Sequence, residues 1–481
     1  MIKIVLATFS SLFLMVSIAI IYYWRDVKYN PSSMDLLSYF IVLPLVLSLI
    51  LLAPYLIYKA YHAYKKRKQQ QKIALLEPQS NKKTSEINEQ VEDVEDVEWL
   101  NLNIFSSSVF NAFGENKSII NALKNFKSPE LDRHLTNAYG LPVLSYRIAA
   151  LDNVLEQQND DDDIEEKQGR LQRIQTLIQH QLEQQSEILL QVAQHLKQSA
   201  FFYDSELAYQ YRMHPAWIDP DYQAQHEDDQ DVQVEQVPRL NRLNIHILLA
   251  DNLLHVWDEN SNNEMLLNFV ESLGIISQQI HIEHHFINQQ SSYKNWLNLL
   301  GQISTQLHEV SLVINVDSEI DQELLDEKMW LSDHYLAAEF ASSWCVAARD
   351  VKIDHAEAIK SLKIALNVHD LATCLNQAVP RHTKYTQQEQ PFVLVLDDAT
   401  DITVIKKINQ IFTPALIENH HFVYIKQMFG NTQSLAKIFG FMLGMHLPEE
   451  LAAMIYSTDQ VLSHAFFQAL NESDQFEEQV I

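Results

Sequence analysis

Between residues 281 and 285 the chain reads His-Ile-Glu-His-His, its densest set of candidate metal ligands. Side chains on a β-strand alternate between faces, so His281, Glu283 and His285 would share one. Imidazole and carboxylate are the ligands of zinc-class sites. No fourth ligand is identifiable, and the His-Glu-x-x-His spacing that puts two ligands on one helical face is absent. The segment therefore reads as exposed strand histidines, and no metal ligand is assigned. Asp397-Asp398 ends an apolar run, where a strand's carboxyl end could present carboxylates to magnesium. No P-loop or other glycine-rich phosphate cradle accompanies it, so the pair reads as polar capping of the next helix. The run Asp160-Asp161-Asp162-Asp163 lacks the glycine-centred spacing of a calcium loop and reads as solvated charge.

Only two cysteines occur, Cys345 and Cys374, which is too few for a thiolate metal cluster. They read as reduced thiols, and Cys345, behind Ser342-Ser343-Trp344, as buried and inert. No catalytic residue, cofactor or metal is assigned on these grounds.

The elements that must carry these residues follow from periodicity. Leu243–Leu249, Ile280–Phe286, Val310–Val316, Pro391–Leu396 and His421–Ile425 read as short apolar strands. Asn263–Leu273, Tyr293–Gln306, Thr403–Phe412 and Ser434–Met445 read as helices between and after them. Strands interleaved with helices predict an α/β layer with parallel pairing. Upstream, Leu100–Phe105 alternates as a strand, 106–108 reads as a loop and Val109–Phe126 as a helix. Ile164–Gln198 predicts one long amphipathic helix, and His334–Ala348 reads as helical or mixed. Acidic inserts lie near 157–166 and 220–237.

The chain has 481 residues and a net charge of −28, unevenly placed. Residues 1–72 hold nine Lys/Arg and two Asp/Glu; the remainder has a balance of −35. A body that acidic excludes nucleic acid as a partner, because phosphate binding needs a basic face. Residues 4–23 and 36–58 carry no charge and match the ~20 residues of a membrane-spanning helix. Lys59, Lys65, Lys66, Arg67, Lys68 and Lys72 follow the second run, which by the positive-inside rule places both termini in the cytoplasm. The expected organisation is a transmembrane hairpin over 1–68, a polar linker over 69–97 and a cytosolic α/β domain over 98–481, in a bacterial inner membrane.

Three of the eight glycines, Gly430, Gly440 and Gly444, fall within fifteen residues. Gly440-x-x-x-Gly444 on an apolar helix predicts a buried helix in close backbone contact with a neighbour. The stretch His421–Met445 resembles the glycine-rich strand–turn–helix of the thiolase-like family, which includes the ketoacyl synthases. Val310–Val316 is similar to the strand before that family's mid-chain loop, Glu339–Ala348 to the strand that starts its second half, and Phe392–Thr400 to a later strand and turn. The resemblance implies a thiolase-like layered fold. It also implies lost chemistry: Asn431 follows Gly430 where the family has a catalytic histidine, and no cysteine precedes Cys345. An amide is no base, and the usual nucleophilic thiolate is missing from the first half. Leu141–Ile148 resembles accessory proteins of bacterial type VI secretion systems. The expectation is a non-catalytic membrane accessory or assembly protein that binds protein partners, and itself as a homodimer. The alternatives are a membrane-bound acyl-transfer enzyme of the ketoacyl-synthase type using Cys345, and a metal-dependent hydrolase using His281, Glu283 and His285.

Overall fold

The structure is a computed structural model that describes residue 22 and residues 98–158, 169–217, 237–331, 335–368, 392–397, 401–412, 421–425, 435–447, 453–457 and 463–468. The chain divides into two units, 1–94 and 95–481. Apart from Tyr22, the expected spans at 4–23 and 36–58 lie outside the described residues, as do the whole linker over 69–97 and most of both acidic inserts. No helix among the described residues is long and apolar enough to cross a membrane. The expectation of a multi-pass inner-membrane protein is corrected on that finding.

The predicted apolar runs become strands with nearly the expected bounds. β1 (Glu98–Asn111), β2 (Gly114–Glu115), β3 (Glu130–Thr136) and β4 (Pro142–Tyr146) come first. β5 (Arg242–Ala250), β6 (Ile280–Ile287), β7 (Glu309–Ser318) and β8 (Ala337–Ala348) follow. β9 (Lys360–Leu366), β10 (Phe392–Val395), β11 (Phe422–Tyr424), β12 (Ala453–Ser457) and β13 (Ser463–Gln468) complete the set. Helices used below are α1 (Gly169–Gln184), α2 (Ser186–Tyr203), α3 (Glu259–Ser272), α4 (Ser292–Ser304), α5 (Ile402–Phe412) and α6 (Ala436–Leu443).

Strand order runs β11-β10-β12-β13-β9-β1-β8-β7-β5-β6. Two five-strand blocks are visible in it, β1-β5-β6-β7-β8 and β9-β10-β11-β12-β13. Counting strands within each block, both have the order 3-2-4-5-1. In both, the second strand is parallel to the third and fourth, and the fifth is antiparallel to the fourth and first. β1 and β9 join the blocks by antiparallel pairing from Glu98↔Leu366 to Ile104↔Lys360. The mixed α/β sheet is thus an internal duplication.

Helices α4 and α6 each follow the third strand of their block. They pack on β1 and β8 and on each other, in one core cluster with Leu102, Trp344, Leu362 and Ile455. Trp296 and Phe441 make the helix–helix contact with ring centroids 5.8 Å apart. The other face of the first block carries α1, α2 and α3 through Ile174, Leu189, Leu266 and their neighbours. A Cβ on Gly440 would stand 2.3 Å from Ile425 Cδ1, and one on Gly444 2.3 Å from Ile455 Cδ1. The helix is buried and closely packed, but the atoms that close on its glycines are side chains of Ile425, Leu396, Ile455 and Phe467 and not the expected neighbouring backbone.

Several local readings are corrected. Residues 106–111 continue β1 because β8 pairs along them; a register shift between Ile104 and Ser106 absorbs the irregular serine stretch. Helix appears there only over Lys117–Lys124. The long helix over 164–198 breaks into α1 and α2 at Gln185, whose buried side chain donates to Ser343 Oγ of β8 (2.8 Å) and accepts from Ser106 Oγ. His334–Ala348 yields β8, a wholly buried strand paired on both sides by β1 and β7. This strand closes the first block; the second opens at Lys360.

Candidate functional site

Two groups of side chains bring together chemistry that the sequence scatters. The first lies at the sheet edge. Parallel pairing of β5 and β6 sets His246 opposite Glu283 and Leu248 opposite His285. On the shared face, His246 Nδ1 lies 3.1 Å from His285 Nε2, and Glu283 Oε2 lies 3.7 Å from the former and 3.6 Å from the latter. His246 is buried, His285 half-buried and Glu283 about half exposed. Burial, with smaller pushes from His285 and His281, lowers His246 to about 4, so its ring is neutral near pH 7. His285 is also held down by burial, against the opposing pull of Glu283.

The structure therefore selects His246, Glu283 and His285 as the ligand-type cluster. His281 stays exposed and outside it. The missing member was invisible to a scan along one strand, because it arrives through the β5–β6 register. The signal available was modest: His246 sits inside an otherwise apolar strand, where a polar ring needs a reason.

The second group lies where the blocks meet. Tyr293, second residue of α4, places its hydroxyl 2.5 Å from Ser463 Oγ on β13. Lys437, second residue of α6, donates to Asp397 Oδ1 at 2.8 Å. Ser457 donates to the same carboxylate oxygen at 3.5 Å and is the cross-strand partner of Ser463. A lysine, a carboxylate and three hydroxyls thus stand in one chain of contacts drawn from both blocks. Asp397, Ser457, Ser463 and Tyr293 are buried, and Lys437 is the more exposed member. Asp397 does not cap the next helix as expected. Asp401 does, accepting from Thr403 N at 2.8 Å. Asp398, Gly430 and Asn431 lie outside the described residues.

Cys345 is fully buried in β8, and burial pushes its thiol up to about 12. At neutral pH it is a protonated core side chain, as its apolar setting in the sequence implied. It cannot be the thiolate of the acyl-transfer alternative. Cys374 lies outside the described residues.

No family model matches the chain, and no curated protein does. Among solved structures it is similar to the ketosynthase from module 6 of the bacillaene synthase of Bacillus subtilis 168, at 8% identity and a TM-score of 0.44, over 77% of this chain and 72% of that one. A type II polyketide ketosynthase in complex with its acyl-carrier protein is similar at 11% identity and a TM-score of 0.38, over 77% of this chain and 99% of that one. The ishigamide ketosynthase/chain length factor is similar at 10% identity and a TM-score of 0.34, over the same shares. These are ketosynthases, and the expectation of a non-enzyme is corrected on that finding. Nothing in these likenesses bears on secretion machinery or on a membrane, and both associations are dropped.

Proposed function

We propose that the chain is an acyl-transfer enzyme of the ketosynthase type, acting on a thioester-borne acyl group at the junction of its two blocks. The duplicated 3-2-4-5-1 strand order carries this reading, because it brings the first turns of α4 and α6 into one polar cluster. In an open α/β layer, ligands bind beyond the carboxyl ends of the strands, which is where Asp397 and Ser457 stand.

Each group has a role set by its chemistry. With Cys345 buried and protonated, a hydroxyl takes the place of a thiolate, and Ser457 is the one that faces a carboxylate. Asp397 accepts the Ser457 proton as Oγ bonds to the acyl carbon; the thioester C–S bond then breaks and the sulfur leaves as a thiol, taking that same proton from Asp397. Lys437 holds the Asp397 carboxylate in place through their 2.8 Å ion pair. The Tyr293–Ser463 hydroxyl pair supplies donors for the acyl oxygen. The partner implied is the carrier of the thioester, a coenzyme or a small acyl-carrier protein.

Intact protein is incubated with acyl-coenzyme A or an acyl-loaded carrier protein and followed by mass spectrometry. The expected result is a mass increase of one acyl group, mapping to the junction. It is lost in Ser457→Ala, reduced in Asp397→Asn by the 10²–10⁴-fold typical of general acid–base groups, and unchanged in Cys345→Ala. Absence of adduct, turnover and condensation product with every thioester sinks the reading. An adduct on a cysteine would move the site elsewhere.

A further inference from the structure

The facing atoms of His246, Glu283 and His285 form a triangle with edges of 3.1, 3.6 and 3.7 Å. Three ligand atoms each about 2.1 Å from a tetrahedral ion stand about 3.4 Å apart. The triangle thus already has the size of three corners of such a coordination sphere. Two neighbouring strands fix it from below, since the register setting His246 opposite Glu283 leaves all three side chains on one face.

Charge points the same way. Among the described residues no lysine or arginine forms an ion pair with Glu283; its carboxylate faces two imidazoles. β6 is the third strand of its block in sequence but the terminal strand of the sheet path, and Glu283 is about half exposed, so a fourth ligand position opens toward solvent. Two nitrogens, one carboxylate oxygen and an open position form the donor set of catalytic zinc sites.

We propose that His246, Glu283 and His285 bind a borderline first-row divalent cation of the zinc class at the β5–β6 edge, with water completing the sphere. The site is separate from the junction assigned to acyl transfer, since its residues come from β5 and β6 and none from α4, α6 or the second block.

The test is metal binding by the full-length chain after chelator stripping. Zn²⁺ is titrated calorimetrically, and Co²⁺ is followed through its visible d–d bands, which report tetrahedral coordination. One equivalent per chain is expected, with intense Co²⁺ bands that Zn²⁺ displaces. Glu283→Gln and His285→Ala, at the more accessible positions, should weaken Zn²⁺ at least about tenfold, the loss that removing even an outer partner of a metal ligand causes. His246→Ala should abolish the Co²⁺ bands, and circular dichroism checks that the variant is folded. His281→Ala should bind like the parent. Three results overturn the proposal: no saturable Zn²⁺ binding, equal binding by parent, Glu283→Gln and His285→Ala (an adventitious ion only), or loss of binding in His281→Ala with retention in a folded His246→Ala.

Discussion

The fifth residue of α4 is Trp296 and the fifth of α6 is Gly440, although each helix follows the third strand of its block and both pack in one core. The indole of Trp296 stacks toward Trp344 and Phe441, at 5.8 Å from each. The missing side chain of Gly440 lets Ile425 and Leu396 close on the helix. The blocks also bury polar groups differently. In the first, Arg173 grips Glu339 through two bonds of 2.8 and 2.7 Å and reaches Asp152 at 2.5 Å. In the second, His446 and His464 are held as neutral rings. A repeated strand order therefore constrains the alternation of apolar residues and the length of the connections. It leaves volume and charge to be settled separately at each contact.

The sharpest way to break this comparison is to remove the ionic anchor of the first block. Glu339 also accepts from Ile148 N at 2.6 Å and Ser318 Oγ at 3.0 Å, so it ties three elements together. Glu339→Ala leaves the Arg173 charge buried with only Asp152. It should cost about 3–5 kcal/mol in urea unfolding, as loss of one partner of a buried pair does. A cost near zero would mean that Arg173 escapes to water and the network anchors nothing.

Next in size is Gly440→Leu in the second block. Side-chain atoms forced against Ile425 and Leu396 should cost about 1–3 kcal/mol or more by overpacking. A melt equal to that of the parent would place α6 at the surface and dissolve the contrast with Trp296.

Acid should expose the second block's neutral histidines. Burial, and for His446 also Lys360 and Lys117, depresses His446 to about 4; burial alone takes His464 to about 3. The unfolded chain protonates these rings first, near pH 6.5. Their contribution is complete above that value and is lost as pH falls from it toward the folded values, at up to about 1.4 kcal/mol per pH unit for each ring. Urea midpoints taken between about pH 7.5 and pH 5 should fall accordingly, and His464→Asn should flatten the slope. An unchanged slope in that variant would show that the ring is not buried neutral.

The smallest effect separates the two helices by their glycines. Gly301 lies inside α4 with only Leu100 Cδ1, 4.0 Å away, near an added Cβ. Gly301→Ala should stabilise the protein by about 0.4–1 kcal/mol through the entropy of the unfolded chain. Any destabilisation would show that α4 needs its own close approach, as α6 does.

What the sequence determined by itself was local. The runs at 243–249, 280–286 and 310–316 form strands because uninterrupted apolar stretches bounded by polar turns have few other ways to bury both faces. Gly440 and Gly444 announced a helix with a close neighbour, and the residues around Cys345 announced its burial. Tertiary structure decided the rest, because strand pairing is non-local and its register follows from packing across the sheet. Residues 337–348 read ambiguously until β1 and β7 pair with them on either side. Asp397 reads as a cap until α6 brings Lys437 to it. His246 reads as an odd residue in an apolar strand until the β5–β6 register lays it against Glu283 and His285, thirty-seven and thirty-nine positions away in sequence and 3.7 and 3.1 Å away in space.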